Sequence, residues 1–265
     1  MKKHVMRMLT VCLCLVTAVV CFGCKPSEPD VEKIELSQPA ITLESGETCE
    51  LTYTTTPEGA DVMGSPIRPD PSKYEWEDVF SFRVNDGKVK ITALSTGTAT
   101  LRIRAAADES VYAECTVTVK PPEGYTPYRG DDFKFVYPST WEATEATGTL
   151  AAFKNENGTN INIAAEKKNP SYFSATADDF KKVLKQSWAA QGVTITGLTC
   201  NAGKYDSDQA VSVSYVYTIP GVGTCKQTQL IRHSSDKTYV LTVTYISEQL
   251  DEELSETIRK EFKAW

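Results

Sequence analysis

Few residues of this chain are of a type and spacing that could do chemistry. Cys21 and Cys24 stand at C-x-x-C spacing in "CFGCKPSEPD", but a zinc or thioredoxin-like site needs further thiolates or histidines nearby, or a strand-to-helix context. Neither accompanies the pair. His233 is the one histidine after residue 23, at the end of a predicted strand, so any Ser-His or Cys-His arrangement must use this single ring. No triad assembles from the local pattern, and a strand-end structural histidine is the better reading. Asp206 and Asp208 form a D-x-D pair, and Asp131 and Asp132 are adjacent in "YRGDDF". Calcium takes about six to eight oxygens, usually from a glycine-shaped loop with a distal acid, and both stretches read instead as solvated acidic turns. Arg129-Gly130-Asp131 is a three-residue match to an adhesion tripeptide and carries no weight alone. Tyr125, Tyr128, Phe133, Tyr137 and Trp141 could form a stacking platform, but aromatics dominate cores as readily as sites, and packing at an inter-domain joint is expected. No catalytic, cofactor-binding or metal residue is therefore assigned.

The N-terminus is more informative. A basic "MKKHVMR" precedes the uncharged run Met8 to Gly23, 16 residues long, the order of a secretory signal. A spanning helix needs about 20 apolar residues, so a permanent transmembrane segment is the weaker reading. Gly23-Cys24 resembles a bacterial lipobox, in which a small residue precedes the cysteine that receives a diacylglyceryl group and becomes the mature N-terminus. Cys21 and Phe22 depart from it, standing where the motif usually has an aliphatic and a small residue. The resemblance implies lipidation at Cys24 and attachment to a membrane surface without spanning it; ordinary secretion with nearby cleavage is the alternative. Two acyl chains suffice for stable anchoring, at about 0.8 kcal/mol per buried CH₂.

Loss of residues 1–23 removes Lys2, Lys3 and Arg7 and no acid, moving the net charge from −7 to −10. Such an acidic chain argues against a nucleic-acid partner and against electrostatic adhesion to anionic lipid. About 240 mature residues suggest two domains of ordinary size. Residues 24–30 read as a polar, proline-containing tether, and 121–127 as a linker broken by Pro121, Pro122, Gly124 and Pro127.

Between them, residues 31–120 hold short period-2 runs such as "VEKIEL", "GKVKITAL", "GTATLRIRAA" and "AECTVTVK", bounded by glycine or polar residues, which predict an all-β sandwich. "LESGETCELTYTTTPEGA", "GKVKITALSTGTATLRIRA" and the closing "CTVTV" resemble the group 2 bacterial immunoglobulin-like domains. The departure is "DVMGSPIRPDPSKYEWEDVF", longer than the usual link, in which Trp76 and Phe80 are the candidate core residues. The resemblance implies a rigid extracellular spacer or adhesion module without catalysis.

Residues 128–265 change character. "FKFVYPSTW" predicts a strand with Phe133, Phe135 and Tyr137 on one face, and two strands flank a turn at residues 155–158. "TADDFKKVLKQSWAAQG" predicts a helix capped by Thr176, with Asp178 and Asp179 in its first turn, ended by Gly192, and with Phe180, Val183, Leu184 and Trp188 on its apolar stripe. Strand patterns "VTITGLT", "QAVSVSYVYTI", "KQTQLIRH" and "KTYVLTVTYI" follow, then a second helix with Leu250, Leu254, Ile258 and Phe262 as its stripe. The expected fold class is two domains, an immunoglobulin-like sandwich followed by an α+β domain whose antiparallel sheet is covered by helices. "FKFVYPSTW", "INIAAEK" and "TYVLTVTY" resemble the PsbP-like (Mog/PsbP-like) proteins, and the likeness implies a non-enzymatic domain that binds proteins or assists assembly.

After Cys24 four cysteines remain. Cys49 and Cys115 share strand parity with Leu51 and Val117 and point inward; an inter-sheet disulfide and free thiols are both open. Cys200 and Cys225 fall near opposite ends of one predicted strand, about 30 Å apart at about 3.3 Å per residue, which disfavours a bond between them.

Together these features predict a non-catalytic, exported, lipid-anchored envelope protein whose immunoglobulin-like spacer presents the C-terminal domain to a protein or envelope partner. The alternatives are an envelope enzyme or small-ligand binder with a pocket in the C-terminal domain, and a purely structural adhesin.

Overall fold

The computed structural model describes residues 30–67, 79–205, 210–221, 223–246 and 251–265. The signal region with Cys21, the lipid-acceptor candidate Cys24, and Trp76, Asp206, Asp208 and Leu250 lie outside the described residues.

The alternating runs of the N-terminal half form eight strands: β1 (Lys33–Leu36), β2 (Ala40–Leu43), β3 (Thr48–Thr56), β4 (Val62–Ile67), β5 (Phe80–Asn85), β6 (Lys88–Ala93), β7 (Gly97–Ala105) and β8 (Tyr112–Val119). They build two four-stranded sheets, ordered β1-β3-β6-β5 and β2-β8-β7-β4. Period-2 patterning turns Leu51, Val89, Ile91, Leu101, Ile103 and Val117 inward, each fully buried in one core shared by both sheets. Phe80 is fully buried there as well. The chain closes β5 onto β6 through Asp86-Gly87, both with positive φ (44° and 76°), the two-residue turn whose twist matches a hairpin. The long segment after Ala60 is not all link: its first part is β4, an edge strand on β7 that tolerates Pro66.

From Tyr125 onward the strands are β9 (Tyr125–Arg129), β10 (Phe133–Pro138), β11 (Glu142–Ala143), β12 (Ala151–Lys154), β13 (Asn160–Lys167), β14 (Thr196–Tyr205), β15 (Ala210–Ile219), β16 (Gly223–His233), β17 (Lys237–Tyr245) and β18 (Lys263–Ala264). The helices are α1 (Ala177–Ala190) and α2 (Glu252–Glu261), with a 3-10 turn at Pro170–Phe173. A seven-stranded antiparallel sheet runs β11-β12-β13-β17-β16-β15-β14, and a separate three-stranded sheet runs β18-β10-β9.

The expectation of an antiparallel sheet covered by helices is overturned. The chain is mostly β throughout, and its two α-helices have only 14 and 10 residues among the described residues. On one face of the large sheet, Ile161, Ile163, Leu241 and Val243 are roofed jointly by the small sheet, through Phe133 and Phe135, and by α2 and its C-cap, through Leu254, Ile258 and Phe262. A second sheet therefore does part of the work assigned to helices. On the other face, Val211, Val213, Tyr215 and Tyr217 meet Phe180, Leu184 and Trp188 of α1.

Thr176 caps α1 in a reciprocal capping box with Asp179. Val183, expected on its apolar stripe, is 58% exposed. Since α1 rests chiefly on edge strand β14, only the line Phe180-Leu184-Trp188, spaced four apart, finds apolar partners.

Candidate functional site

Alternation along β15 and β16 also dictates what the other side of those strands presents. In "AVSVSYVY" Val211, Val213, Tyr215 and Tyr217 face α1, so Ser212 and Ser214 face the side of α2, where Thr228 of β16 joins them by register. Helix α2 covers only part of this face, leaving an open cleft of about 430 Å³ between helix and sheet. Ser212, Ser214, Thr228 and Leu230 form its floor, and Glu252, Ser255, Glu256 and Arg259 its wall.

The polar groups of the cleft are largely paired with one another. Ser214 Oγ and Thr228 Oγ1 lie 3.0 Å apart, and Ser255 Oγ lies 2.8 Å from the Tyr245 hydroxyl. Burial pushes the Tyr245 phenol up to about 12, against the opposing hydrogen bond from Ser255. Arg259 donates through Nε to Glu256 Oε2 at 2.8 Å, and its guanidinium also lies 5.7 Å from the Tyr205 ring. Such a surface offers hydroxyl and charged hydrogen-bonding groups to a small polar ligand. Odd-numbered His233 on β16 points to the opposite face from Thr228 and takes no part in the cleft.

His233 ends β16 with its ring 4.4 Å from that of Phe173 and its Nδ1 2.8 Å from Thr238 Oγ1. The Thr238 hydroxyl accepts from Asn169 N at 2.9 Å and so has its hydrogen free for Nδ1. Burial, then the nearby Lys168 ammonium, lowers the His233 pKa, with Glu166 opposing, so the ring is neutral at pH 7.

Of the acidic pair Asp131-Asp132, Asp132 is engaged within the fold: its Oδ2 accepts from Lys237 Nζ at 3.0 Å and from the Tyr239 hydroxyl at 3.3 Å. That carboxylate, first through its hydrogen bond, pushes the Lys237 ammonium up to about 12. Among the described residues no three His, Cys, Asp or Glu side chains come together as a metal site. The Arg129 guanidinium lies over the Trp265 ring at 4.8 Å. Gly130 sits against Phe133, whose ring a Cβ would meet at 2.2 Å.

The aromatic group is core, but not at the joint. Tyr128 lies 5.3 Å from Phe135 and 5.7 Å from Phe153, and Tyr137 stacks on Phe153 at 3.7 Å, all between the small and large sheets. The contact between the N-terminal sheets and the rest of the chain includes a polar clamp. Thr96, in the β6–β7 turn, is clamped from both sides: its N–H donates to Glu261 Oε2 at 2.8 Å, and its carbonyl accepts from Lys134 Nζ at 2.7 Å. Glu261 and Lys134 are buried, as is Ser95. Gly97 follows with φ of 154°, where a Cβ would meet Val79 Cγ2 at 2.9 Å and no side chain fits without displacement.

All four described cysteines are free thiols. Cys115 is fully buried and Cys49 packs against the same core. Cys200 and Cys225 are not at opposite ends of β15: they stand opposite Tyr215 and Tyr217, on the strands flanking it. Strand β14 runs on to Tyr205, which makes Cys200 a mid-strand residue. Two strand spacings of about 4.8 Å plus a two-residue offset still exceed the about 7 Å Cα reach of a disulfide.

Sequence reasoning missed both the cleft and the clamp. The serines of "SVSYVY" were a usable signal, since alternating hydroxyls opposite a buried row must face something polar or open. Lys134 between two phenylalanines was another, because both faces of β10 are buried.

No protein-family model and no curated protein matches the chain. Among solved structures it is similar to cyanobacterial PsbP (CyanoP) from Synechocystis sp. PCC 6803, at 15% identity over 54% of this chain and 93% of that one, with a TM-score of 0.42. A Bacteroides thetaiotaomicron VPI-5482 protein is similar at 16% identity, over 54% of this chain and 49% of that one, with a TM-score of 0.33. The S-layer protein rSbsC is similar at 12% identity, over 78% of this chain and 26% of that one, with a TM-score of 0.26.

Proposed function

We propose that the protein is a non-catalytic cell-envelope lipoprotein, tethered through Cys24, in which the N-terminal sheet pair is a spacer of the bacterial immunoglobulin-like kind. The spacer presents a PsbP-like head to a protein or envelope partner. The observation that carries this reading is the clamp on Thr96, because presentation needs a head held in fixed orientation. Here a buried acid and a buried amine of the head take both backbone polar groups of one spacer residue. Metabolic labelling with radioactive palmitate tests the tether. Label is expected in the intact protein and absent from Cys24→Ala, and globomycin should accumulate the unprocessed precursor. An unlabelled wild-type protein whose processing ignores globomycin removes the anchor.

A second reading, that the head captures a small polar ligand, is favoured by the cleft against α2. Ligand-observed NMR with neutral and acidic sugars should show line broadening that Ser214→Trp abolishes by filling the floor. Broadening that survives that substitution would place binding elsewhere.

A further inference from the structure

We propose that Cys49 and Cys115 are an oxidisable pair that closes into a disulfide joining the two N-terminal sheets when the chain meets a small-molecule disulfide, as it would after export. The strand registers bring them together. β1 runs antiparallel to β3, with Leu36 opposite Tyr53 and the Ser37 N–H donating to Thr52 O at 2.9 Å. Continued by three residues, that register sets Ala40 level with Cys49. But at Ala40 the chain has crossed to the other sheet, where it stands opposite Thr116 in the parallel β2–β8 pair. Cys49 and Cys115 therefore occupy nearly the same height in facing sheets.

Both side chains point into the shared core. The crossing between Ser37 and Ala40 ties the sheets at this corner, and β1 lies against β8 there. The two thiols are close enough that Cys49 adds to the burial that pushes Cys115 up to about 11. Cys200 and Cys225 serve as an internal contrast, since they lie in one sheet with β15 between them.

The reaction is thiol–disulfide exchange. The Cys49 thiolate, less buried than Cys115, attacks one sulfur of glutathione disulfide and expels one glutathione thiolate, giving a mixed disulfide. The Cys115 thiolate then attacks Cys49 Sγ, forming the protein S–S bond and expelling the second glutathione. Two protein thiols are oxidised, one small disulfide is reduced to two thiols, and the cysteine protons pass to the departing thiolates. Because the thiolate is the attacking form, the raised Cys115 pKa makes closure slow in the folded protein and faster during refolding.

Relevance in the cell rests on the export reading above, whereas the test uses purified protein and stands apart from it. The mature chain carrying Cys24→Ser is refolded in a glutathione redox buffer, denatured and alkylated. Two of its four remaining cysteines should escape alkylation. Non-reducing peptide mapping should join the Cys49 and Cys115 peptides, and the oxidised protein should melt roughly 10 °C above the reduced one. Cys49→Ser should leave every remaining thiol alkylatable. Full alkylation of the oxidised parent, or a link that involves Cys200 or Cys225, overturns the proposal.

Discussion

Replacing Glu261 with alanine is expected to lower stability by about 3 kcal/mol, most of it from a buried peptide N–H left without a partner. Glu261 Oε2 is the acceptor for Thr96 N, in a place from which water is excluded, and Lys134 holds the carbonyl of the same residue. The substitution opens one jaw of the clamp and leaves the Lys134 ammonium as the other. Urea denaturation followed by tryptophan fluorescence measures the loss. Glu261→Gln, which retains a carbonyl acceptor, should recover more than half of it. Glu261→Ala should also let the head swing against the N-terminal sheets, read as an increased radius of gyration in solution scattering. A loss under about 1 kcal/mol with unchanged scattering would mean that the apolar contacts alone hold the joint.

The second large effect is expected at Phe135→Ala, at about 3–5 kcal/mol, the range for deleting a fully enclosed aromatic ring. Phe135 is 1% exposed and carries the small sheet onto the large one, with ring contacts to Tyr128 and Phe153. If helices alone covered the large sheet, this residue would sit at the margin and its loss would be cheap. Val183→Ala on exposed α1 is the control, expected within about 0.5 kcal/mol of the parent. Thermal melts of both variants against the parent decide between the two packing arrangements.

The elements were more legible than their stacking. Period-2 runs located β13, β15, β16 and β17, and the Thr176-Asp179 pair marked the start of α1, because alternation and capping are written in neighbouring residues. Which layer lies on which is not local. Nothing within "FKFVYP" says that β10 pairs with β9 and β18 rather than joining the large sheet, so the covering of that sheet was assigned to helices. The misplacement of Cys200 has a related cause. The pattern "VTITGLT" stops short of the cysteine, whereas β14 passes through "CNAGKY", where Gly203 and asparagine weaken the pattern without breaking the pairing. At the cleft and the clamp the legible part was the residue type, Ser212, Ser214, Lys134 and Glu261. The illegible part was the surface each would meet, which depends on contacts up to 165 residues away in sequence.

The division of the first strand between two sheets has a mechanical meaning. β2 pairs parallel with β8, and β2 leads from the N-terminal end of the chain while β8 leads toward the head. When the two ends of this sheet pair are pulled apart, the opposing forces run along these neighbouring strands. Their hydrogen bonds then lie across the direction of pull and must yield together, whereas a hairpin loaded at its open end would unzip bond by bond. The N-terminal sheet pair is therefore built to bear tension along its length.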